Sequence, residues 1–276
     1  MGVLYHFDSR MVGYGSNISV AFSTIKHCLT NNLQCHINII NPMYGNPNQN
    51  LWDLCFNQPF GIEIDSNYNI ENTTDPFKSG YWEYSTKEDL KKVRDNEFIT
   101  QEQGIYKKYF QIKDQSVISS LENFSQRFED KKILGMHRRG RDQLAGGHAK
   151  NQKDKLNLTY LFSVVDSEID EFDYLYLSSD EHYIYKNFEK RYGNKLLFLD
   201  TKEQIPDSDE GLHYFSINQS DEQKNIMLKI LLTEMLLLSK CSRMLLVCSN
   251  FSQTALYLSG HLNYRFYDEH VNYEHM

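Results

Sequence analysis

The chain has 276 residues, 40% of them hydrophobic, and a formal net charge of −8. That length fits one large domain or two smaller ones with a real core, and the acidic balance argues against general binding to nucleic acid or to a membrane surface. No apolar run reaches the roughly 18 residues that span a bilayer, and the opening MGVLYHFDSR lacks the basic-then-apolar pattern of a signal peptide. The cysteines (Cys28, Cys35, Cys55, Cys241 and Cys248) are odd in number and irregularly spaced. They suit buried free thiols in a reducing cytoplasm better than a disulfide framework or a zinc site.

In chain order, GVLYHF predicts a short strand and MVGYGSN a glycine turn. SVAFSTIKHCLTNN reads as a helix from the spacing of Val20, Ala21, Ile25 and Cys28, and QCHINII as a second strand, so that the stretch forms a βαβ unit. Residues 41–80 are rich in Asn, Pro and Gly and read as an irregular excursion. Residues 84–130 read as helical, KEDLKKV and QSVISSLENFSQRF most clearly. The pattern then restarts. KILGMH, DYLYLSSD, KLLFLD and RMLLVCS are strands, and between and after them TYLFSVVDSEI, YIYKNFEKRYG, QKNIMLKILLTEMLLLSKC and NFSQTALYLSGHL are helices. Such alternation predicts a doubly wound parallel sheet. We divide the chain into an N-terminal α/β domain, residues 1–130, and a C-terminal Rossmann-like domain, residues 131–276, with a cleft between them.

Ligands of parallel sheets sit beyond the carboxyl ends of the strands. Polar clusters fall there at residues 137–142, 178–181 and 249–253, and Gly13, Tyr14 and Gly15 hold the same place in the first half. HRRGRD, residues 137–142, carries three arginines, whose planar forks match phosphate oxygens and cannot be deprotonated. Ser249, Asn250 and Ser252 precede a helix, where hydroxyls and backbone N–H groups form an anion site. Asp180, at a strand end, can accept from a base N–H or a ribose hydroxyl. Each cluster has a plainer reading: a surface turn, an N-cap, a solvated strand end, a tight βα turn. Their convergence on one rim favours a nucleotide diphosphate. No Asp-x-Asp stands directly behind a predicted strand and no Gly-x-x-x-x-Gly-Lys-Ser/Thr is present. Arginine and N–H donors would then neutralise a diphosphate leaving group in place of magnesium, the logic of a metal-independent glycosyltransferase.

HRRGRD resembles the His-x-Arg-Arg-x-Asp motif of the α1,6-fucosyltransferases, glycosyltransferase family 23, which includes bacterial nodulation fucosyltransferases. The resemblance runs along most of the chain. GYGSNISVAF is similar to the family's Gly-Tyr-Gly segment, LWDLCFNQPF to its Trp-Glu-x-x-Phe segment, and YLSSDE to its Tyr-Leu-Ala-Thr-Asp-Asp. GLHYFS and LLTEMLLLSKCSRMLLVCSNFSQTALYL are similar to its last helix, last strand and Ser-rich donor loop. The resemblance implies a GT-B fold, two Rossmann-like domains facing across a cleft, and inverting transfer of fucose from GDP-fucose to a glycan hydroxyl.

By position, the resemblance places His137 near the guanine end and Arg139 on the β-phosphate, where it supports departure of GDP. It makes Asp142 the motif aspartate, Asp180 the acid that reads guanine, Ser252 and Gln253 the donor loop, and Gly13 and Gly15 the glycine turn. Tyr14, Arg141, Ser249 and Asn250 complete the donor-binding set. Gly140 stands where the family has a second arginine, with arginines at Arg138 and Arg141, and Gln143 stands at a family lysine. Alternation along the strand turns Arg138 away from the face carrying His137 and Arg139. The glutamate proposed as base in eukaryotic members falls near Gly147 and His148. Imidazole suits a general base near neutrality, so His148 is the candidate; a loop histidine behind two glycines is the alternative. No cofactor or metal is expected. The expected partners are a GDP-sugar and a glycan or lipid-linked oligosaccharide acceptor, without nucleic acid or an integral membrane segment. The expected setting is surface-glycan biosynthesis in the cytoplasm or at the inner membrane face. Another GDP-sugar such as a heptose, or binding of a GDP-sugar without catalysis, are the competing readings.

Overall fold

A computed structural model describes residues 2–8, 13–61, 69–71, 95–139, 157–200 and 218–268. The chain divides into two compact units, residues 1–119 with 216–231, and residues 120–215 with 232–276.

Among the described residues the first unit holds a parallel sheet of β1 (Gly2–Asp8), β2 (Gln34–Ile40) and β3 (Asn69–Glu71) in the order β2-β1-β3. Helix α1 (Tyr14–Thr30) joins β1 to β2 and buries Ile18, Ala21, Phe22, Ile25 and Cys28, one helical face. It starts five residues earlier than the apolar spacing suggests, because Gly13, in extended backbone, serves as its N-cap. It ends at Asn31, and Asn32 takes the left-handed conformation (φ 53°) that asparagine tolerates. The stretch expected to be irregular contains β3 and a short helix, α2 (Leu51–Cys55), capped by Asn50. Neither is long enough to show a period. Helix α3 (Asn96–Tyr109) is capped by the Asp95 carboxylate and stacks Tyr106 on Phe22 at 3.6 Å. Trp52, Phe56 and Phe110 complete this aromatic core. Helix α4 (Gln115–Ser125) begins in this unit and runs into the second. KEDLKKV lies outside the described residues.

The second unit is a five-stranded parallel sheet. Its strands are β4 (Ile133–Arg138), β5 (Tyr174–Ser179), β6 (Leu196–Leu197), β7 (Arg243–Leu246) and β8 (Tyr264–Phe266), in the order β6-β5-β4-β7-β8. All six residues of β4 are buried, as expected where helices cover both faces of a parallel sheet. The crossovers carry α5 (Leu158–Asp166), α6 (His182–Tyr192), α7 (Asp221–Ser239) and α8 (Asn250–Ser259). The C-terminal part of α7 is buried at Leu232, Met235, Leu236, Leu237 and Leu238. It ends against β4 at Gly135, where a Cβ would stand 2.7 Å from the Cys241 sulfur and 2.9 Å from Leu238. Glycine is required there by close packing. The cysteines form no disulfide, and all except Cys248 are buried. The expected α/β class with parallel sheets is borne out; β8, three residues long, was not anticipated.

Candidate functional site

The order β6-β5-β4-β7-β8 fixes where a ligand can enter. The chain runs outward from β4 to β5 and β6, then returns past β4 to β7 and β8. The crossovers beside β4 and β7 therefore lie on opposite faces, which leaves a crevice outside the carboxyl ends of these two strands. His137 and Arg138 close β4, and Ser249 through Gln253 follow β7 into α8.

One contact bridges that switch point. The His137 imidazole Nδ1 lies 2.7 Å from the Ser252 hydroxyl, and both residues are buried. Ser249 caps α8, its hydroxyl accepting from Ser252 N–H at 3.2 Å. The Phe251 ring sits 4.4 Å from the His137 ring. Burial, then the charges of Arg139 and Arg138, push the His137 pKa down to about 3. The imidazole is therefore neutral and presents one donor and one acceptor. Gln253 and Ser252 are both buried in the first turn of α8. The turn's N–H groups and the positive end of the helix dipole suit an anion.

β8 holds this arrangement from the far side. The Tyr267 hydroxyl donates to His137 O at 2.8 Å, Tyr267 N–H donates to Leu246 O at 3.0 Å, and the Asp268 carboxylate accepts from Cys248 N–H at 2.8 Å. The Tyr160 hydroxyl donates to Tyr267 O. Tyr267 thus ties the ends of β4 and β7 together, and Asp268 holds the chain just after β7. Sequence reading missed both, since their role depends on a strand it did not find.

The β5 end forms a second polar cluster. The Tyr185 hydroxyl accepts from Ser179 N–H at 2.8 Å and lies 3.0 Å from Ser179 O. Glu234, on α7, stands 3.4 Å from both the Ser178 and the Tyr185 hydroxyls. Burial, reinforced by the charge of Asp180, pushes its carboxyl up to about 8 against the hydrogen bonds from Tyr185 and Ser178. Asp180 follows β5 and is half-buried. Glu234 was also missed; an acid inside an apolar helical run was its signal. Arg139 is half-buried just beyond β4, while Arg138 is buried beside Glu181.

In the first unit Gly13 caps α1, and a Cβ there would meet nothing within 4 Å. Tyr14 is buried, with its N–H donating to the Tyr44 hydroxyl at 3.2 Å and its own hydroxyl beside Cys55. Gly15 lies in the first turn of α1 and Asn250 in that of α8. Arg141, Asp142 and His148 lie outside the described residues. Among the described residues no three His, Cys, Asp or Glu side chains group as metal ligands, and no helix is long and apolar enough to cross a membrane.

No protein-family model matches the sequence, and no curated protein is similar to it. Solved structures are similar in fold. The fucosyltransferase NodZ from Bradyrhizobium matches with a TM-score of 0.54 at 12% identity, over 92% of this chain and 91% of that one. The chain has the fold of NodZ. A crystal of NodZ α-1,6-fucosyltransferase soaked with GDP-fucose matches with a TM-score of 0.55 at 11% identity, over 93% of this chain and 92% of NodZ. A mutant of Arabidopsis thaliana FUT1 in complex with GDP gives 0.51 at 12% identity, over 94% of this chain and 68% of that one. The NodZ likeness extends through both units of the chain.

Proposed function

We propose that this chain is a metal-independent, inverting glycosyltransferase that transfers fucose from GDP-fucose to a glycan hydroxyl. The observation that carries the reading is the His137–Ser252 contact across the switch point, in a fold shared with a fucosyltransferase soaked with GDP-fucose. In this reading residues 131–276 hold the donor and residues 1–130 carry the acceptor, a surface glycan or its lipid-linked precursor, at the cytoplasmic side. Asp180 accepts from guanine N1–H and the exocyclic amine, with His137 near the base. Arg139 and Arg141 face the diphosphate, together with Ser249, Asn250, Ser252 and Gln253. Gly13, Tyr14, Gly15 and Asp142 complete the donor-binding set.

The acceptor oxygen attacks the anomeric carbon in line as the bond from that carbon to the β-phosphate oxygen breaks. The electron pair leaves with GDP, and the acceptor proton passes to a base, assigned to His148. Arg139 stabilises the charge that grows on the diphosphate, so it acts mainly on the transition state.

Calorimetry with GDP and ADP tests the reading: GDP binds and ADP does not, because adenine lacks the donor pair that Asp180 needs. Equal affinities would remove the guanine assignment. A panel of GDP-sugars, read by donor hydrolysis with and without EDTA, tests the rest. Turnover of GDP-fucose is expected to survive chelation. A preference for GDP-heptose would replace the sugar, and GDP binding without hydrolysis of any donor would leave a binding protein. Manganese-dependent activity would overturn the metal-independent mechanism and direct attention to Asp207 and Asp209, which lie outside the described residues.

A further inference from the structure

Arg138 ends β4 opposite Ser179, which ends β5. Its side chain is buried, with Nε 3.4 Å from Glu181 Oε2 and one terminal nitrogen donating to Arg139 O at 2.8 Å. Glu181 is buried as well and is the N-cap residue of α6, yet its side chain makes no capping hydrogen bond. The carboxylate is turned from the helix end towards Arg138. Tyr183, in the first turn of α6, is a further neighbour of Arg138.

Stability alone is a poor reason for this arrangement. Burying two charges is expensive, and an apolar pair of the same volume often does as well or better. Nε and Oε2, though close, are not aligned as a hydrogen bond. What the arginine fork does achieve is a link from the β5–α6 junction to the backbone carbonyl of Arg139. Fixing that peptide plane fixes the direction in which the Arg139 side chain leaves the strand. Gly140 comes next, and a glycine supplies no conformational restraint of its own.

We propose that the buried Arg138–Glu181 pair is a positioning device that aims Arg139 at the donor diphosphate. The inference rests on the donor-site reading above and deepens it. Arg138 acts through Arg139, without touching the donor.

The experiment compares the wild type with Arg138→Met, Glu181→Met and the double variant. The readouts are Tm, GDP binding by calorimetry, and kcat and KM for GDP-fucose hydrolysis. Each single variant strands a buried charge and loses Tm. The double variant removes both charges and recovers most of it. Its kcat stays lower by on the order of 10-fold or more, since small misplacements of a reacting group are costly, while KM and GDP affinity change little. A double variant with wild-type kcat would make the pair a structural feature only and overturn the proposal. So would one whose GDP affinity falls as far as its kcat. If the double variant does not fold, Arg138→Lys replaces it. An ammonium keeps the charge opposite Glu181 but has no fork to reach the Arg139 carbonyl as well, so kcat falls at near-normal Tm; unchanged kcat overturns the proposal. A wild type that binds no GDP removes the donor reading and this inference with it. A wild type that binds GDP alongside a fully active double variant removes the inference alone.

Discussion

Along the outer edge of β2, Asn50 Oδ1 accepts from Ile39 N–H and Trp52 N–H, and Asn50 Nδ2 donates to Ile37 O and to Asp53. Gln58 accepts from Ile37 N–H and donates to Ile37 O and Asp53. At the ends of β4, β5 and β7 polar side chains also meet one another across strand ends: His137 with Ser252, Arg138 with Glu181, Ser178 and Tyr185 with Glu234. The amides of the first region imitate a neighbouring strand and close a sheet edge that would otherwise expose unpaired backbone groups. The side chains of the second region fix the separation of groups carried by different strands. Burial of a polar residue therefore says little about function. A side-chain contact between different strand ends separates a site residue from a scaffold amide.

The sharpest way to break this distinction is to remove one group from the second region. Arg139→Ala is expected to lower GDP-fucose turnover on the order of 10²–10³-fold, the usual cost of losing one preorganised donor to developing charge. Donor affinity falls much less. Arg139→Lys is also poor, because a point charge does not reproduce the fork. Steady-state kinetics decides: near-normal turnover in Arg139→Ala, with a dead Arg141→Ala, would move the phosphate contact two residues along.

The converse test belongs to the β2 edge. Asn50→Ala leaves Ile39 N–H and Trp52 N–H without their acceptor and uncaps α2. A loss of about 2–3 kcal/mol in stability follows, from unsatisfied backbone groups and a lost cap. GDP affinity is unchanged. Urea unfolding and calorimetry on the same protein check both halves, and a variant that keeps its stability but loses GDP would place Asn50 in the site.

Chain pattern reached β4, β5 and β7 because strands buried on both faces read as apolar runs. His137 and Ser252 were legible for the same reason: each stands just past such a run. β3 and β8 were not, since three residues show no alternation and their place is set by pairing with β1 and β7. With β8 went Tyr267 and Asp268. Alternation separated Arg138 from its neighbours, but no local pattern could announce its burial against Glu181, which is 43 residues away by the numbering and comes from another strand end. Glu234 is 56 residues from Ser178. Its spacing fits the apolar run around it, so the sequence reads it as an interruption of a core helix. The pairing of distant strands and helices makes it part of the site.

Replacing that carboxyl by an amide gives the second region the chemistry of the first. The Tyr185 hydroxyl already accepts from Ser179 N–H, and its one hydrogen is within reach of Ser179 O. Glu234 Oε1 lies 3.4 Å from the same hydroxyl, and a protonated Glu234 needs no hydrogen from it, whereas a carboxylate would compete with Ser179 O for that one hydrogen. The folded protein holds this proton up to about pH 8, whereas the ordinary value is 4.5. Between these two values the folded state binds more protons than the unfolded chain. The contribution of Glu234 to stability is therefore complete below the ordinary value and is lost as pH rises through the folded one. The slope approaches about 1.4 kcal/mol per pH unit at its steepest. Glu234→Gln keeps an N–H donor for Tyr185 and an oxygen acceptor for Ser178 but does not titrate. The Tm of the variant minus that of the wild type should rise steadily from about pH 5 to about pH 8 and level off above. A difference that stays flat across this range would show that Glu234 is ionised in the folded protein, and that the β5 end is held by a charge.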